Sequence, residues 1–276
     1  MQALLRKSIS LVPWRIRGRI KKIPLIAPLQ RRLLARFLEG REFVHTVDAG
    51  PARGLRYPIR LPEDKGIWTG TYELEFSNTL SKAVRPGDVC LDIGGWRGFF
   101  GGVMALAGAS RVFIFEPLPA NVAQIRRMID LNPHLPLQLV EAAVSDEEGM
   151  SGFYIMSESS MSKLTKSSFQ RENQSAQQIQ VRAVSLDQWL HEQKSLLPSL
   201  IKIDVEGAEL QVLRGAKQTL GTHKPKLFIE IHSRLLARQC EEILRNLGYS
   251  ISVLETNSIP NFHSEPEICH LVAVPR

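Results

Sequence analysis

A glycine-rich turn follows an apolar, strand-like run and has the composition of a site for a nucleotide-type ligand. The run ends at Asp92, and the turn reads Gly94-Gly95-Trp96-Arg97-Gly98. Glycines let the backbone approach a ligand closely, and a helix beginning there offers unpaired N–H groups. Glu116 ends the next apolar run, where an acid commonly accepts hydrogen bonds from ribose hydroxyls. Ser145 and Asp146 close a third run, where an adenine edge could be met.

The glycine spacing separates this turn from a dinucleotide-binding turn. The dinucleotide fingerprint G-x-G-x-x-G requires glycine two places after the first one. Counted from Gly94, that place holds Trp96, and counted from Gly95 it holds Arg97. A pyrophosphate would be crowded there, so the sequence favours a cofactor without one over a nicotinamide dinucleotide. The alternative interpretation is that the glycines serve only tight packing of helix on strand.

Several ionisable residues lie where two later apolar runs end. Asp204 and Glu206 follow one run, and Glu230 and His232 close the next. Side chains alternate along a strand, so each pair shares a direction, and on neighbouring strands all four would gather at one rim. Such groups at the carboxyl ends of parallel strands seldom serve packing alone. Two plainer interpretations stand beside this one: His232 as an ordinary strand-end histidine, and Glu209 as a first-turn acid favoured by the helix dipole.

Taken together, these motifs resemble those of the FkbM-type methyltransferases. The resemblance is carried by Asp88-Val-Cys-Leu-Asp-Ile-Gly94, Phe115-Glu-Pro117, Ala143-Val-Ser-Asp146, Ile201-Lys-Ile-Asp-Val-Glu-Gly-Ala-Glu209, Ile229-Glu-Ile-His232 and the lead-in Gly70-Thr-Tyr-Glu73. It covers residues 50 to 250 approximately. It implies a class I methyltransferase fold, S-adenosylmethionine as cofactor and, commonly, O-methylation of a sugar or natural-product hydroxyl. The family usually has D-x-G-A-N-x-G, so Trp96 here replaces a polar residue near the methionine end of the cofactor.

The resemblance also implies a set of site residues. The cofactor-binding candidates are Asp92, Gly94, Gly98, Glu116, Ser145, Asp146, Tyr72 and Glu73. Asp204 and His232 are the candidates for general base, with Glu230 beside them in the catalytic group. Alternatively, Asp204, Glu206 and Glu230 hold a hard divalent cation that acidifies the acceptor hydroxyl. The metal-free version is the favoured interpretation.

A different class of function is also compatible with the sequence. The chain could be a catalytically inactive binding protein that keeps the methyltransferase fold and is associated with a membrane surface. Trp96 and the basic N-terminal segment favour this alternative, whereas the full set of acids at the strand ends argues against it.

The elements that must position these residues alternate between apolar strands and amphipathic helices. Strands are predicted at 88–93, 111–116, 137–144, 199–204, 226–232, 249–255 and 268–274. Helices are predicted at about 70–84, 98–107, 119–131, 186–194, 208–220 and 234–247, after a hairpin or cap at 43–61. Continuous apolar strands are typical of strands covered on both faces. The pattern therefore predicts an α/β fold, a Rossmann-like class I methyltransferase with a mainly parallel seven-stranded sheet and helices on both faces. Ligands would bind beyond the carboxyl ends of the strands.

The predicted domain organisation is a basic extension (1–45), a cap or lead-in (46–85) and a cofactor-binding domain (86–276). The extension carries eleven lysines and arginines against two glutamates, which leaves the rest of the chain nearly neutral and gives no support to a nucleic-acid surface. Three interpretations of it stay open: a helical and hairpin extension packed on the domain, an amphipathic segment that meets anionic membrane through residues 1–40, and an organellar transit peptide. The first is favoured.

Cysteine usage and hydropathy indicate the compartment. Cys90, Cys240 and Cys269 are too few and too scattered for a disulfide framework, and none forms a CxxC pair that would suggest structural zinc. No apolar run reaches the roughly 20 residues that a spanning helix needs. A cytoplasmic protein is therefore expected, and the second interpretation of the extension would place it at the membrane surface as a peripheral protein.

One stretch interrupts the alternation of strands and helices. Residues 157–178 contain seven serines and few large apolar side chains. A loop of this length inside a compact domain is either disordered or a substrate lid, and the sequence does not decide between the two. Neither this stretch nor the cap carries a readable specificity code, so the acceptor is not predicted beyond its class, a small molecule or glycan.

Overall fold

The computed structural model describes residues 42–155, 163–164, 177–194, 196–256, 258–260 and 268–276. The described residues fall into two compact units, a small one with 42–43 and 59–65, and a large one with 44–58 and 66–276. Most of the basic extension and nearly all of the serine-rich stretch lie outside the described residues. The predictions made for those two segments therefore stay predictions.

The described chain alternates between strands and helices. The strands are β1 (Glu42–Thr46), β2 (Arg56–Arg60), β3 (Val89–Ile93), β4 (Arg111–Phe115), β5 (Leu137–Val140), β6 (Ala143–Val144), β7 (Gly149–Ile155), β8 (Lys163–Leu164), β9 (Gln177–Val184), β10 (Leu200–Ile203), β11 (Lys226–Ile231), β12 (Tyr249–Val253) and β13 (Cys269–Pro275). The helices are α1 (Lys65–Thr69), α2 (Leu74–Ala83), α3 (Phe99–Leu106), α4 (Pro119–Leu131), α5 (Leu186–Glu192), α6 (Glu209–Gly215), α7 (Lys217–Thr222) and α8 (Arg234–Asn246).

A seven-stranded sheet forms the centre of the large unit, in the order β5-β4-β3-β10-β11-β13-β12. The five strands from β5 to β11 in this order are parallel to one another, and β13 runs antiparallel to both β11 and β12. Numbered by their order along the chain within this sheet, the strands follow the sequence 3-2-1-4-5-7-6. The predicted mainly parallel seven-stranded sheet is confirmed.

Burial on both sides of the sheet explains why the central strands are apolar. All four residues of β10 are buried, as are the last four of β4. Helix α8 shows the matching pattern, with Leu236, Cys240 and Leu244 buried at a spacing of four residues. Each such side chain contributes about 1.5–3 kcal/mol relative to an exposed one. Ser233 caps this helix, because its hydroxyl accepts the backbone N–H of Leu236 at 3.2 Å.

A second, four-stranded sheet in the order β6-β9-β7-β8 was not predicted. The strand predicted at 137–144 is divided: β5 belongs to the central sheet, whereas β6 pairs with β9 in the second one. In β9, Val181 and Ala183 are buried while Gln180 and Arg182 are exposed. This alternation is a signal for an amphipathic strand that the many polar residues of the segment concealed.

Two predicted helices have different bounds in the structure. The helix predicted at 70–84 begins only at Leu74, because Gly70 and Glu73 both adopt positive φ, 69° and 38°. The helix predicted at 208–220 is divided into α6 and α7. The carboxylate of Asp187 accepts the backbone N–H of Gln218 and of Thr219, at 2.8 and 2.7 Å, and so caps the start of α7.

Two expectations about the whole chain can be compared with the described part. No helix there is both long enough and apolar enough to cross a membrane. All three cysteines are buried and free.

Candidate active site

A cavity of about 250 Å³ lies beyond the carboxyl ends of the central parallel strands. Its walls come from the glycine turn and the start of α3, the ends of β4, β10 and β11, β6 with the residue before it, β7, and the residues ahead of α2. The lining is Tyr72, Glu73, Gly94, Gly95, Trp96, Phe99, Phe100, Phe115, Glu116, Pro117, Asn121, Ala142, Ala143, Val144, Phe153, Lys202, Asp204, Val205, Glu206, Ala208 and Glu230. The cavity is where the α/β topology places a ligand site.

The glycine turn fits directly against the end of β10. Gly94 has φ of 77°, and a Cβ added to it would lie 1.7 Å from the carbonyl oxygen of Asp204. The backbone N–H of Asp204 in turn donates to the carbonyl of Ile93 at 3.0 Å. Gly98, with φ of 83°, precedes α3, and a Cβ there would lie 2.5 Å from the side chain of Met128. Only glycine fits either position without displacement of its surroundings.

Asp92 supports the turn from inside the protein and does not line the cavity. Its side chain is fully buried, and its Oδ1 lies 3.3 Å from Nζ of Lys202. The same ammonium donates to the carbonyl of Gly94 at 2.9 Å and lies 3.3 Å from Oδ2 of Asp204. Although burial acts to lower the pKa of Lys202, the two carboxylates raise it above the ordinary value. Lys202 is therefore a buried cation shared by the turn and the end of β10.

Glu116 is fixed by three N–H donors at the wall of the cavity. Its Oε2 accepts the backbone N–H of Trp96 at 2.9 Å. Its Oε1 accepts the backbone N–H of Leu118 at 2.9 Å and the side-chain amide of Asn121 at 3.3 Å. Burial raises the pKa of Glu116 to about 7, against the effect of these donors. The side chain is held in one orientation, facing the space where the sequence predicts a ribose.

Replacement of Glu116 by Gln is expected to weaken binding of S-adenosylmethionine by about tenfold or more, because hydrogen bonds to charged groups contribute roughly 1.5–3 kcal/mol. Isothermal titration calorimetry of the two proteins measures the change. Glu242→Gln, the same substitution at an exposed position of α8, is the matched control. Equal dissociation constants for Glu116→Gln and the control would exclude Glu116 from cofactor binding.

Ser145 and Asp146 do not lie among the residues that line the cavity. The Ser145 hydroxyl is 3.3 Å from Oδ1 of Asp146, and its backbone N–H donates to the carbonyl of Val184 at 2.9 Å. The preceding residues Ala142 and Ala143 reach the cavity instead. Contact of Ser145 and Asp146 with a cofactor stays a prediction.

Trp96, the residue that departs from the usual family motif, forms part of the cavity wall with Tyr72. The two rings are stacked, with centroids 6.1 Å apart and planes inclined by 21°. Trp96 has φ of 48°, and the guanidinium of Arg97 lies over its ring at 5.3 Å. Tyr72 also meets Phe99 edge to face, at 5.2 Å. The tryptophan thus belongs to an aromatic wall between the glycine turn and the residues ahead of α2.

His232 lies at the centre of a cluster of carboxylates, which we call the acidic rim. Its Nε2 lies 3.4 Å from Glu206, 3.7 Å from Glu230 and 3.9 Å from Asp204. The four residues predicted to gather at one rim are therefore brought together, because β10 and β11 are neighbours. The shortest contact, 2.7 Å from Nδ1 to Oε1 of Glu209, was missed from the sequence. Glu209 is fully buried, so it is more than an acid favoured by the helix dipole.

The charges of the acidic rim favour a protonated His232. Burial acts to lower the pKa of His232, but its contacts with Glu209, Asp204 and Glu206 raise it to about 9. Burial raises the pKa of Glu206 to about 7. An imidazole that already holds its second proton at neutral pH donates rather than accepts. Of the two candidates for general base, the arrangement favours Asp204 over His232.

Glu230 lies between two histidines. Its Oε2 is 3.5 Å from Nε2 of His270, on β13, and its other oxygen faces His232. His270 also contacts Glu255, and neither residue was singled out from the sequence. Ligand atoms of Asp204, Glu230 and His232 lie within 4.8 Å of one another, as do those of Glu73, Glu230 and His270. The predicted cation set of Asp204, Glu206 and Glu230 thus overlaps the first group in two residues.

The strand order 3-2-1-4-5-7-6 and a site beyond the carboxyl ends of the strands define a class I methyltransferase. The model of the methyltransferase FkbM domain matches residues 88–251. The chain belongs to the FkbM methyltransferase family. Membership implies S-adenosylmethionine as the methyl donor.

Individual relatives and solved structures are similar to this chain. The 2-O-methyltransferase NoeI of Sinorhizobium fredii is 29% identical over 215 residues, which are 74% of this chain and 77% of NoeI. The structure of methyltransferase FkbM from Methylobacillus flagellatus is 19% identical, with a TM-score of 0.44 over 78% of this chain and 56% of the other. Precorrin-6y C5,15-methyltransferase from Geobacter metallireducens is 13% identical, with a TM-score of 0.45 over 74% of this chain and 89% of the other.

Proposed function

We propose that this protein transfers a methyl group from S-adenosylmethionine to a hydroxyl of a sugar, glycan or natural product. The observation that carries the proposal is a single cavity that joins the glycine turn and Glu116 to the acidic rim at Asp204 and Glu230. A relative that is by its name a 2-O-methyltransferase supports an oxygen acceptor.

The groups that line the cavity support a cofactor that has hydroxyl groups and a positive charge. Gly94 and Gly95 line the cavity without a side chain, Gly98 lets the turn enter α3, and Glu116 offers acceptors for hydroxyl donors. Tyr72 and Glu73 close the cavity from the segment ahead of α2, and Asp92 acts from behind through Lys202. When bound, S-adenosylmethionine supplies a methyl group carried on a positively charged sulfur. The carboxylates of the lining, namely Glu73, Glu116, Asp204, Glu206 and Glu230, favour a cationic ligand.

A hydroxyl acceptor must lose its proton, and Asp204 is the proposed proton acceptor. Its side chain lines the cavity and is 24% exposed, so an acceptor can reach it. Glu230 lies beside it and is held between two imidazoles. His232 keeps these carboxylates together as their common cation. Exclusion of water and alignment of the acceptor oxygen supply the rest of the rate enhancement.

The alternative is a divalent cation held by Asp204 and Glu230, with His232 or Glu206 as a third ligand. Such an ion would acidify the acceptor hydroxyl directly. Turnover of the EDTA-treated protein, measured with and without added Mg²⁺ or Mn²⁺, separates the two versions. A metal-free reaction predicts equal rates, and the cation version predicts that turnover returns only with metal.

A second candidate function is a methyltransferase-fold protein that binds without catalysis. The specific observation in its favour is Trp96, whose indole occupies the cavity wall where the family usually has a small polar side chain. Calorimetry with S-adenosylmethionine discriminates between the candidates. Binding followed by methyl transfer supports the enzyme, and absence of binding at millimolar cofactor contradicts it.

Trp96 also provides a signal for cofactor binding. Because its ring lines the cavity, S-adenosylmethionine is expected to change the intrinsic tryptophan fluorescence, and Trp96→Phe should remove most of that change. Trp68→Phe, which alters an indole outside the lining, should retain it. A full signal in the Trp96→Phe protein would contradict the placement of the cofactor beside this ring.

The test of the whole proposal is a methyl-transfer screen with radiolabelled S-adenosylmethionine. Purified glycans, free sugars and polyhydroxylated natural products serve as acceptors, and product hydrolysis identifies the methylated atom. Label on oxygen of a glycan confirms the proposal. Cofactor binding without transfer to any of these hydroxyls, or label found on a nitrogen or carbon atom of an acceptor, contradicts the O-methylation.

The predicted domain division and membrane contact are further parts of the proposal. The basic extension (1–45) and cap (46–85) would precede the cofactor-binding domain (86–276) along the chain. Peripheral contact with anionic membrane through residues 1–40 predicts that the protein sediments with anionic phospholipid vesicles, and that deletion of those residues abolishes sedimentation.

A further inference from the structure

We infer that Lys202 is a positioning residue that couples the cofactor turn to Asp204, so that the proton acceptor is correctly oriented only when the turn is in place. This inference rests on the proposed function. It assigns to Lys202 a role beyond neutralising the buried charge of Asp92.

Lys202 has three polar neighbours in the protein: it donates a hydrogen bond to one of them and forms ion pairs with the other two. An ammonium has three N–H groups and no acceptor. Its polar neighbours are Oδ1 of Asp92 at 3.3 Å, Oδ2 of Asp204 at 3.3 Å and the carbonyl of Gly94 at 2.9 Å. The side chain is 2% exposed, and Nζ lies over the ring of Phe100 at 5.2 Å. Although Lys202 lines the cavity, its donors are directed to the protein, which indicates positioning rather than direct contact with a ligand.

The register of the sheet explains this placement. Lys202 is the direct partner of Asp92 on the neighbouring parallel strand β3, so the two side chains leave the sheet on one face. Asp204 follows two residues later on the same face, just past the end of β10. The ammonium therefore reaches backward to Asp92 and forward to Asp204 from one position. The other residues of β10 are Leu200, Ile201 and Ile203, which are apolar.

The contact with Asp204 has a geometric consequence for that carboxylate. Oδ2 faces Lys202, whereas Oδ1 lies 3.9 Å from Nε2 of His232, toward the acidic rim. Two cations on opposite sides thus fix the plane of the carboxylate in the cavity. Without Lys202, the carboxylate can rotate away from the acceptor. A misplacement of about 1 Å costs on the order of 100-fold in rate.

The experiment must separate this role from simple charge neutralisation. Lys202→Met alone would leave Asp92 as a buried unpaired charge, and the protein could fail to fold. We therefore use Asp92→Asn as the background, in which removal of Lys202 leaves no fully buried carboxylate without its partner, since Asp204 is partly exposed. In this background Lys202→Met and Asp204→Asn are made singly and together. Any effect of Asp92→Asn itself on stability or kcat is present in all four proteins.

The effects of Lys202→Met and Asp204→Asn on kcat are expected to be non-additive. In the Asp92→Asn background, Lys202→Met should lower kcat by about 10- to 100-fold when Asp204 is present. When residue 204 is Asn, the same change should lower kcat by less than about threefold, because the group on which Lys202 acts is gone. Midpoints of thermal unfolding should agree between the single Lys202→Met protein and its background, and KM for the acceptor should change less than kcat.

Two outcomes would overturn the inference. Lys202→Met could lower kcat by the same factor whether residue 204 is Asp or Asn. That result would show that Lys202 acts independently of the Asp204 carboxylate. An unchanged kcat in both settings would show that neutralising Asp92 was its only role. Failure of the proposed function gives a different result, because the wild-type protein itself would then neither bind S-adenosylmethionine in calorimetry nor transfer its methyl group.

Discussion

Replacement of Asp204 by Asn is expected to lower kcat by at least about 100-fold, the range that a positioned general base contributes. The amide keeps the size and shape of the carboxylate but cannot take the proton of an acceptor hydroxyl. Asp204 contacts Lys202 and His232 at the cavity wall, whereas the cofactor half of the site is built by the glycine turn and Glu116. The dissociation constant of S-adenosylmethionine should therefore change by less than about threefold.

Initial-rate kinetics with the acceptor found in the screen, together with cofactor calorimetry, measure the two quantities separately. Asp130→Asn is the matched control, since it makes the same change on the exposed face of α4. A kcat within about threefold of the control would remove Asp204 from the mechanism. A parallel loss of cofactor affinity would instead assign it to cofactor binding.

Replacement of His232 by Ala should have the largest effect on stability. It removes the common cation of the acidic rim and leaves Glu209 buried, with one of its carboxylate oxygens already unpaired. Loss of one partner of a buried ion pair costs about 3–5 kcal/mol of unfolding free energy. Urea unfolding of the cofactor-free protein at pH 6 measures this loss. The double variant Glu209→Gln/His232→Ala should recover much of it, because the orphaned charge is gone.

The ion pair of His232 and Glu209 makes the free energy of unfolding depend on pH, and the sign of that dependence can be predicted. The pKa of His232 is about 9 in the folded protein and 6.5 ordinarily. A raised histidine pKa contributes stability that is fully present below pH 6.5 and is lost as the pH rises through 9. The contribution is on the order of 3 kcal/mol. The stability difference between wild type and the double variant should shrink over this window, and a constant difference from pH 6 to pH 9.5 would show that His232 does not titrate with folding.

Much of the fold follows from local patterns in the sequence. Runs such as Val89–Ile93 and Arg111–Phe115 are apolar because both faces of the central sheet are covered, and that property is visible in the residues themselves. The second sheet was missed because β9 is mostly polar on one face. The division between α6 and α7 was missed because the cap on α7 comes from Asp187, about thirty residues earlier in the chain.

The candidate site shows the same limit. Alternation along a strand is enough to predict that Asp204 and Glu206 accompany Glu230 and His232 once the strands are neighbours. It does not predict that His232 bonds most closely to Glu209, since that contact depends on how the turn after β10 folds back. Nor does it predict that Lys202 is buried, because a lysine in an apolar strand is tolerated only where acids meet it, here Asp92 on the adjacent strand and Asp204 just past the end of its own strand.

The tight contact between Gly94 and the backbone of Asp204 also has a consequence for engineering. A Cβ at position 94 would lie 1.7 Å from that carbonyl. The glycine turn and the segment at Asp204 must therefore come from the same protein. Chimeras that exchange acceptor-binding parts between relatives should keep both segments from one parent and place their junctions elsewhere. Grafting the turn alone would place it against a chain segment that it does not fit.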